Sequence, residues 1–155
     1  MSNVRRLPRY TMSNSEHPSI SAACYCGAVK VCFAAERQSI VHCHCGECRR
    51  LSGAAFTTWV SVPRQAMSVS GEASLSSFQV TPNVTRHFCK VCGSHVYSAD
   101  LRLPKIAGVP AGVIEGGLSA LPQAHYFVGH KAKWHTISDA LPQFGGESGA
   151  EPTAA

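Results

Sequence analysis

Cysteine is the residue type in this sequence that offers the most chemistry. Seven of the eight cysteines in the 155-residue chain fall into three short groups, Cys24-x-Cys26, Cys43-x-Cys45-x-x-Cys48 and Cys89-x-x-Cys92. Zinc is held by thiolates about 2.3 Å from the ion, so its ligands must lie a few ångströms apart, and closely spaced cysteines on tight turns meet this need. Gly27 and Gly93 follow two of the groups and favour such turns. The spacing therefore predicts metal binding.

The number of thiolates predicts two unlike sites. Four cysteines complete a tetrahedral structural site, whereas three leave an open fourth position, which is typical of a catalytic zinc. Cys43, Cys45 and Cys48 lie within six residues and could wrap one ion, and we call them the three-cysteine cluster. The other pairs would form the closed site, the four-cysteine cluster of Cys24, Cys26, Cys89 and Cys92. Spacing alone leaves other groupings open.

Two other interpretations of the cysteines remain open. A disulfide framework requires an oxidising compartment, and a bridge across Cys-x-Cys has awkward geometry. In the second interpretation both metals are structural, and His42 or His44 completes the second site. Alternate residues of an extended chain point to opposite faces, so a histidine between two cysteines is a poor fourth ligand. Both histidines are expected to be hydrogen-bonded structural residues, and the ungrouped Cys32 a small, buried apolar residue on a strand.

Composition places the cysteines in one turn-rich, mostly β chain. Charged residues make up 15% of it, below the usual roughly 25%, while 13 glycines and 9 prolines indicate many turns. A chain of this length can form a core without disulfides. No apolar run is long enough to span a membrane. The basic N-terminal segment lacks the apolar region of a secretory signal, so the expected location is the cytoplasm, where thiols stay reduced.

The expected organisation is a flexible N-terminal arm (1–20), a single zinc-binding domain (21–144) and a disordered tail (145–155). Alternating apolar residues predict a strand over 29–33, and similar β-rich runs occupy 56–62, 76–80, 84–88 and 125–128. A short helical turn is expected at 49–52, ended by Gly53. The segment 103–117, rich in glycine and proline, favours no regular element.

Five ordered blocks of sequence resemble a known family. They are Cys24-Tyr-Cys26-Gly27-Ala28-Val29, His42-Cys43-His44-Cys45-Gly46-Glu47-Cys48 continued by Arg49-Arg50-Leu51-Ser52-Gly53-Ala54, Phe56-Thr-Thr-Trp59-Val60, Arg86-His-Phe88-Cys89-Lys-Val-Cys92-Gly93, and Lys131-Ala-Lys-Trp134 with Leu141-Pro142-Gln-Phe144. Together they resemble the glutathione-dependent formaldehyde-activating enzymes, whose domain also occurs in centromere protein V. The resemblance covers about residues 22–146. Two features depart from the family pattern: Ala22-Ala23 replaces Gly-Gly, and His95 replaces a small or apolar residue.

The resemblance implies a β-tent fold, mainly β, with antiparallel sheets, little helix and two zinc ions per chain. It also implies that the four-cysteine cluster is structural and the three-cysteine cluster catalytic. The implied activity is carbon–sulfur bond formation between formaldehyde and the thiol of glutathione, which gives S-hydroxymethylglutathione. The family motif consists mainly of metal and fold residues, so the identity of the substrate does not follow from it.

Charged residues next to the three-cysteine cluster are candidates for catalysis. Glu47 lies inside the loop between Cys45 and Cys48 and could carry a proton or support a ligand. Arg49 or Arg50 could offset the negative charge of the thiolates or hold a substrate carboxylate. The alternative is that both arginines are simply solvated.

Other prominent side chains have no predicted catalytic role. Large rings commonly anchor the cores of β-sheets, so Phe56, Trp59 and Trp134 are predicted to be core aromatics. Asp100 and Asp139 are isolated in the sequence and carry no recognisable role. There is no Ser-His-Asp order, phosphate-binding glycine loop or dinucleotide fingerprint. The scattered basic residues give no indication of nucleic-acid binding.

The leading interpretation is a zinc-dependent carbon–sulfur lyase that forms or cleaves an adduct between a small, formaldehyde-like aldehyde and a low-molecular-weight thiol such as glutathione. A zinc ion with three thiolates and one open position can ionise an incoming thiol or polarise a carbonyl. The alternative is a zinc-stabilised binding module in which both metals are structural. The expected partners are a small thiol and a carbonyl compound, and the sequence does not define an oligomeric state.

Overall fold

The chain folds mainly into short β-strands, as the sequence predicts. The computed structural model describes residues 19–34, 39–118 and 120–153. Within these ranges there is one α-helix, α1, at Gly46–Ser52. The strands are β1 (Ser19–Ala23), β2 (Lys30–Ala34), β3 (Ile40–Cys43), β4 (Thr57–Pro63), β5 (Met67–Ser70), β6 (Leu75–Gln79), β7 (Val84–Cys89), β8 (His95–Asp100), β9 (Ile106–Pro110), β10 (Ala124–Tyr126), β11 (Phe144–Gly145) and β12 (Glu151–Pro152).

Two sheets make up most of the molecule. The larger has seven strands in the order β10-β3-β4-β9-β8-β7-β6, and the smaller has three in the order β1-β2-β5. Neighbouring strands are antiparallel in both sheets except for β10 and β3, which pair in parallel at one edge. A separate antiparallel pair, β11-β12, lies near the C-terminus. The predicted antiparallel sheets are therefore confirmed, with one parallel edge.

Apolar side chains from both sheets form a single core. In β2 the alternation places Val31 and Phe33 inside and Lys30 outside. In the larger sheet Val60, Val62 and Val109 are fully buried, and they belong to the same core cluster. The other face of these strands carries different side chains, which line the cavity described below. In the described ranges no helix has the length and apolarity needed to cross a membrane.

The strands predicted over 29–33, 56–62, 76–80 and 84–88 match β2, β4, β6 and β7 to within one residue at each end. The run at 125–128 is shorter than expected, because β10 ends at Tyr126 and a 3-10 turn follows at Val128–His130. The segment 103–117, which favoured no element, contains β9. Pairing with β4 on one side and β8 on the other holds this glycine- and proline-containing strand in the middle of the sheet.

Helix α1 begins three residues before the predicted turn. Cys45 is its N-cap, and the Cys45 sulfur accepts a hydrogen bond from the backbone N–H of Cys48 at 3.3 Å. Ser, Thr, Asp and Asn are the preferred N-cap residues, so the sequence carries no signal that the helix begins after a cysteine. The helix ends where predicted, because Gly53 adopts a left-handed φ of 65° and donates its N–H to the carbonyl of Arg49.

The C-terminal segment differs from the disordered tail expected over 145–155. Residues 144–145 pair with residues 151–152, and the N–H of Phe127 donates to the carbonyl of Gly149 at 2.9 Å. Phe127 itself has a positive φ of 58°, rare for a residue with a side chain. Its ring lies where a side chain at Gly149 would have to be. The N-terminal arm falls largely outside the described residues, and β1 already begins at Ser19.

Replacing Gly71 with alanine is expected to destabilise the fold. Gly71 has a φ of +81°, and a Cβ there would collide with the backbone carbonyl of Ala28, next to the first cysteine pair. The strained backbone alone costs about 1–3 kcal/mol, and the collision adds to it. Chemical denaturation should show this loss. The matched control is Gly112→Ala, since Gly112 has no neighbour within 4 Å of a built Cβ and no positive φ. Equal stability of the two variants would contradict the argument.

Candidate functional site

The four-cysteine cluster is assembled from two distant turns, as the sequence predicts. The sulfur atoms of Cys24, Cys26, Cys89 and Cys92 all lie within 4.8 Å of one another. The Cys24–Cys26 sulfur distance is 3.6 Å and the Cys26–Cys89 distance is 3.8 Å. Thiolates around a tetrahedral zinc with bonds of about 2.3 Å lie about 3.8 Å apart. The cluster therefore has the dimensions of a metal site, and its cysteines are free rather than disulfide-bonded.

Tight backbone turns hold both halves of the four-cysteine cluster. Gly27 and Gly93 have positive φ values of 75° and 77°, and their N–H groups return to the carbonyls of Cys24 and Cys89 at 2.9 and 2.8 Å. The N–H of Val29 also donates to the Cys24 sulfur at 3.2 Å. Backbone N–H groups that face sulfur stabilise the thiolate form. These turns have the geometry that the spacing predicted.

The three-cysteine cluster lies where β3 ends and α1 begins. The sulfur atoms of Cys43, Cys45 and Cys48 lie within 4.8 Å of one another. Cys43 is the last residue of β3, Cys45 caps the helix, and Cys48 is buried in its first turn. Among the described residues, no fourth His, Cys, Asp or Glu joins this group. The cluster therefore offers three protein ligands.

Within the three-cysteine cluster, the surroundings favour a thiolate most strongly at Cys48. Hydrogen bonds from Cys43 and Cys45, and then from Trp59 and Arg86, lower the pKa of Cys48 to about 2. The pKa of Cys43 is raised far above its ordinary value, chiefly by its hydrogen bonds to Cys45 and Cys48. Three neighbouring thiolates repel one another, so a cation is needed before all three can ionise. The donor set thus suits a divalent, thiolate-binding metal.

Arg86 supplies a buried positive charge next to Cys48. Its guanidinium Nη2 lies 3.4 Å from the Cys48 sulfur, and the residue is only 7% exposed. The guanidinium stacks 4.5 Å from the centroid of the Trp59 ring. The indole Nε1–H of Trp59 also donates to the Cys48 sulfur at 3.4 Å. Both side chains therefore stabilise a thiolate at this position.

His95 holds Arg86 in place and explains one departure from the family pattern. Its Nδ1 lies 3.3 Å from Nη1 of Arg86, and its Nε2 lies 3.2 Å from the carbonyl oxygen of Tyr97. Burial first, and then the charge of Arg86, lowers the pKa of His95 to about 4, so the ring is neutral near pH 7. A neutral ring that donates Nε2–H to the carbonyl leaves Nδ1 free to accept from Arg86.

A cavity of about 800 Å³ adjoins the three-cysteine cluster. Its floor is one row of the larger sheet, where Ser61, Gly108, Ser98 and Arg86 are cross-strand partners on four adjacent strands. These residues alternate with the buried core valines, so they occupy the opposite face of the sheet. Ser61, Gly108 and Ser98 are small and leave space above the row. At Gly108 even a Cβ would lie 3.0 Å from the Trp59 ring.

The two charged residues proposed beside the cluster occupy different places. Glu47 lines the cavity, as its position between Cys45 and Cys48 suggested. Its own backbone N–H and the Cys45 side chain lower the pKa of its carboxyl. Arg49 instead donates Nε–H to the carbonyl of His44 at 3.3 Å and does not line the cavity. Arg86, which lies on β7, occupies the position beside the thiolates that the sequence analysis proposed for Arg49 or Arg50.

The two histidines of the middle motif are hydrogen-bonded structural residues. His42 Nδ1 lies 2.8 Å from the hydroxyl of Thr58. His44 is fully buried, and its Nε2 lies 2.8 Å from Nδ1 of His125. His125 donates Nε2–H to the carboxylate of Asp139 at 3.0 Å, which gives Asp139 a partner that the sequence did not reveal. Burial first, and then His125, lowers the pKa of His44 to about 4. The hydrogen bonds that link His44, His125 and Asp139 anchor the loop between Cys43 and Cys45.

Three other residues differ from expectation or refine it. Cys32 lies on β2 as predicted but is exposed rather than buried, because it occupies the outward position between Val31 and Phe33. Trp134 is 75% exposed, so it is not a core aromatic. Trp59 is not in the core either, since it lies on the cavity face of β4. Alternation along a strand directs Cys32 and Trp59 away from the core, and Trp134 lies in an irregular loop. Local backbone position therefore decides burial more strongly than residue type does.

The model of the glutathione-dependent formaldehyde-activating enzyme family matches residues 19–130. The chain belongs to this family. A protein of Halomonas elongata, provisionally named a glutathione-dependent formaldehyde-activating enzyme, is 26% identical over 126 residues, which cover 76% of this chain and 80% of that protein. A provisionally named member from Penicillium rubens is 33% identical over 78 residues, or 48% of this chain and 40% of that protein. The match thus spans less than half of the fungal relative.

A solved structure shares the fold. A crystal structure of a Rhodobacter sphaeroides protein aligns with a TM-score of 0.56 and 23% identity, covering 66% of this chain and 97% of the other. Together with the family match, this confirms the mainly β fold expected from the resemblance. Among the described residues of this family member, the two cysteine clusters are the groups with the dimensions of metal sites.

The two clusters predict different effects of losing a ligand. Cys48→Ser should lower the metal content by one equivalent per chain with the fold retained, because the cluster lies on a short loop and helix. Cys89→Ser should lower the free energy of unfolding by about 4 kcal/mol or more, because Cys89 is fully buried in the core and its metal joins two distant turns. Metal analysis and thermal denaturation measure the two effects. Equal destabilisation by both changes would contradict this division.

Removing Asp139 should loosen the three-cysteine cluster. In Asp139→Ala the Nε2–H of buried His125 loses its acceptor, which costs about 1–3 kcal/mol. Metal loss to a chromogenic chelator should become faster at the three-cysteine cluster and stay unchanged at the four-cysteine cluster. Glu72→Ala, which removes an exposed acid at a distant turn, is the control. Identical release kinetics in the two variants would show that the histidine chain does not position the cluster.

Proposed function

We propose that this chain catalyses addition of a thiol to a small aldehyde, and the reverse cleavage, at the three-cysteine cluster. The observation that carries the proposal is that three clustered sulfur atoms, with no fourth protein ligand among the described residues, border a cavity of about 800 Å³. A closed structural site needs neither an open ligand position nor a cavity. The family membership supports the same activity, with formaldehyde and glutathione as the reactants named for the family.

We expect zinc at both clusters, because an all-thiolate donor set at tetrahedral spacing is the set that zinc prefers in proteins. Zinc held by Cys43, Cys45 and Cys48 would supply a Lewis acid and lower the pKa of a thiol that reaches it. The reduced state of the cysteines also fits the cytoplasm, the expected location.

The reaction balances without a redox partner. The thiol loses its proton, its sulfur forms a bond to the carbonyl carbon, and the carbon–oxygen π bond opens onto oxygen. The oxygen then takes a proton, which gives a hydroxymethyl thioether. We infer that Glu47, a carboxylate on the cavity wall whose pKa is lowered, accepts the thiol proton and returns it to the oxygen.

Arg86 and Trp59 have a positioning role at the cluster. Three thiolates leave a divalent metal with a net negative charge, which weakens its attraction for an entering anion. The Arg86 guanidinium and the Trp59 N–H both point at Cys48 and draw charge away from that sulfur. Hydrogen bonds to a ligand sulfur reduce its electron donation and so increase the positive character of the metal.

Thiols add to formaldehyde without help, so the test must measure acceleration. Two-dimensional NMR exchange with carbon-13 formaldehyde and glutathione gives the rate of adduct formation and cleavage. At micromolar protein, we expect the metal-loaded chain to raise this rate at least 10-fold over the uncatalysed rate, and Cys48→Ser to abolish the increase. A rate equal to the uncatalysed one would overturn the proposal for this pair and favour the alternative, a binding module with two structural metals.

Changing Arg86 tests the electrostatic part of the proposal. Arg86→Met should lower the exchange rate at least 10-fold with the metal content retained, and Arg86→Lys should recover part of the loss because the charge returns without the planar stack. Arg64→Met is the matched control, since Arg64 is an exposed arginine in the turn after β4. If both methionine variants keep the wild-type rate, Arg86 has no role in the reaction.

A further inference from the structure

The cavity is much larger than formaldehyde requires. Its volume of about 800 Å³ lies within the range of about 300–1,000 Å³ that holds drug-sized ligands. Formaldehyde has a single carbon atom and fills only a small part of that space. The cavity therefore has room for a bulkier reactant, and its walls indicate the chemistry that such a reactant would need.

The walls away from the three-cysteine cluster are mostly apolar. They are formed by Val41, Val80, Val84, Leu103, Ile106 and Tyr126. Four strands, β3, β7, β9 and β10, contribute to this wall along with segments outside the strands. A charged group placed against these side chains loses its hydration without a partner in exchange. An apolar group instead gains about 25 cal/mol for each Å² that it buries.

Both cations that line the cavity in the described ranges already have partners, so neither offers a carboxylate an unpaired positive charge. Arg86 directs Nη2 to the Cys48 sulfur and Nη1 to His95. Its Nε has no hydrogen-bond partner and is shielded from solvent, and the residue as a whole is only 7% exposed, so little of the guanidinium can contact a ligand. Arg86 is therefore committed to the cluster.

Arg102 is the second cation on the cavity wall, and Asp100 neutralises it. The carboxylate of Asp100 accepts three N–H groups of Arg102: the backbone N–H at 2.9 Å, Nε–H at 2.9 Å and Nη2–H at 2.7 Å. The bond to Arg102 also lowers the pKa of the Asp100 carboxyl, which keeps it ionised. A ligand carboxylate that approached Arg102 would therefore lie near the negative charge of Asp100 and be repelled by it.

We propose that the bulky reactant of this enzyme carries a neutral apolar group, such as an aryl or branched alkyl group, rather than the two carboxylates of glutathione. This inference rests on the proposed function, because it assigns the substrate class of the same site. The group could belong to the thiol or to the carbonyl compound. The cavity chemistry is the same for both, and binding experiments separate them.

Binding to the metal-loaded 155-residue chain tests the substrate class without requiring turnover. The chain contains two tryptophans, and Trp59 lines the cavity whereas Trp134 is exposed elsewhere. In a Trp134→Phe background, fluorescence therefore reports on Trp59. We expect benzyl mercaptan or phenylacetaldehyde to bind at least 10-fold more tightly than glutathione, and the tighter of the two identifies which reactant carries the group. Glutathione binding as tightly as both, or more tightly, would overturn the inference.

A charge variant tests the reason for this selectivity. Asp100→Asn leaves Arg102 without its carboxylate, so the affinity for glutathione should rise at least 3-fold relative to that for benzyl mercaptan. The double variant Asp100→Asn with Arg102→Leu should lose this gain. If Asp100→Asn leaves the ratio of affinities unchanged, the ion pair does not exclude carboxylates and the argument fails.

The outcomes also separate this inference from the proposed function. Accelerated exchange with glutathione, together with tight glutathione binding, would keep the function and overturn the substrate class. Selective binding of the apolar ligands without accelerated exchange of either thiol would keep the substrate class and overturn the catalytic function.

Discussion

The repulsion among clustered sulfur atoms is the constraint on which the rest of this structure depends. Seven thiols lie in two groups whose members are within 4.8 Å of one another, and in neither group can every sulfur ionise without a compensating positive charge. Metal ions bound at the two clusters would supply most of that charge. The protein adds the rest at Cys48, through the guanidinium of Arg86 and the indole N–H of Trp59.

Burying an arginine requires partners of its own, and the sheet provides them. The guanidinium of Arg86 has a sulfur on one side, a neutral imidazole on another and an aromatic face beneath it. Trp59 and Arg86 come from β4 and β7, which are separated in the sheet by β9 and β8. Their long side chains meet above Gly108 and Ser98 because those intervening residues are small. One row of the sheet thus sets both the electrostatics of the cluster and the space beside it.

The sequence predicted which cysteines lie together, because short cysteine spacings are local features that a tight turn converts directly into geometry. Strands such as β2 and β7 were predictable for a similar reason, since alternation is also local. Arg86 was visible only as part of a motif, because its role depends on a contact with Cys48 across 38 positions of the chain. The pairing of His125 with Asp139 was missed for the same reason. Arg49 shows the converse: it is a sequence neighbour of Cys48, yet the helix turns it toward the His44 carbonyl.

The strained backbone of Phe127 links the C-terminal segment to the cavity. A non-glycine residue at φ 58° persists only where its surroundings enforce it, and here the enforcing contact is the carbonyl of Gly149 in a segment rich in Gly, Ser and Glu. Phe127 is also part of the cavity wall. The segment around Gly149 has the composition of a dispensable tail. Through its hydrogen bond to Phe127, it nevertheless supports the cavity wall. Length variation at this end of the chain would change ligand selection without altering a single cysteine.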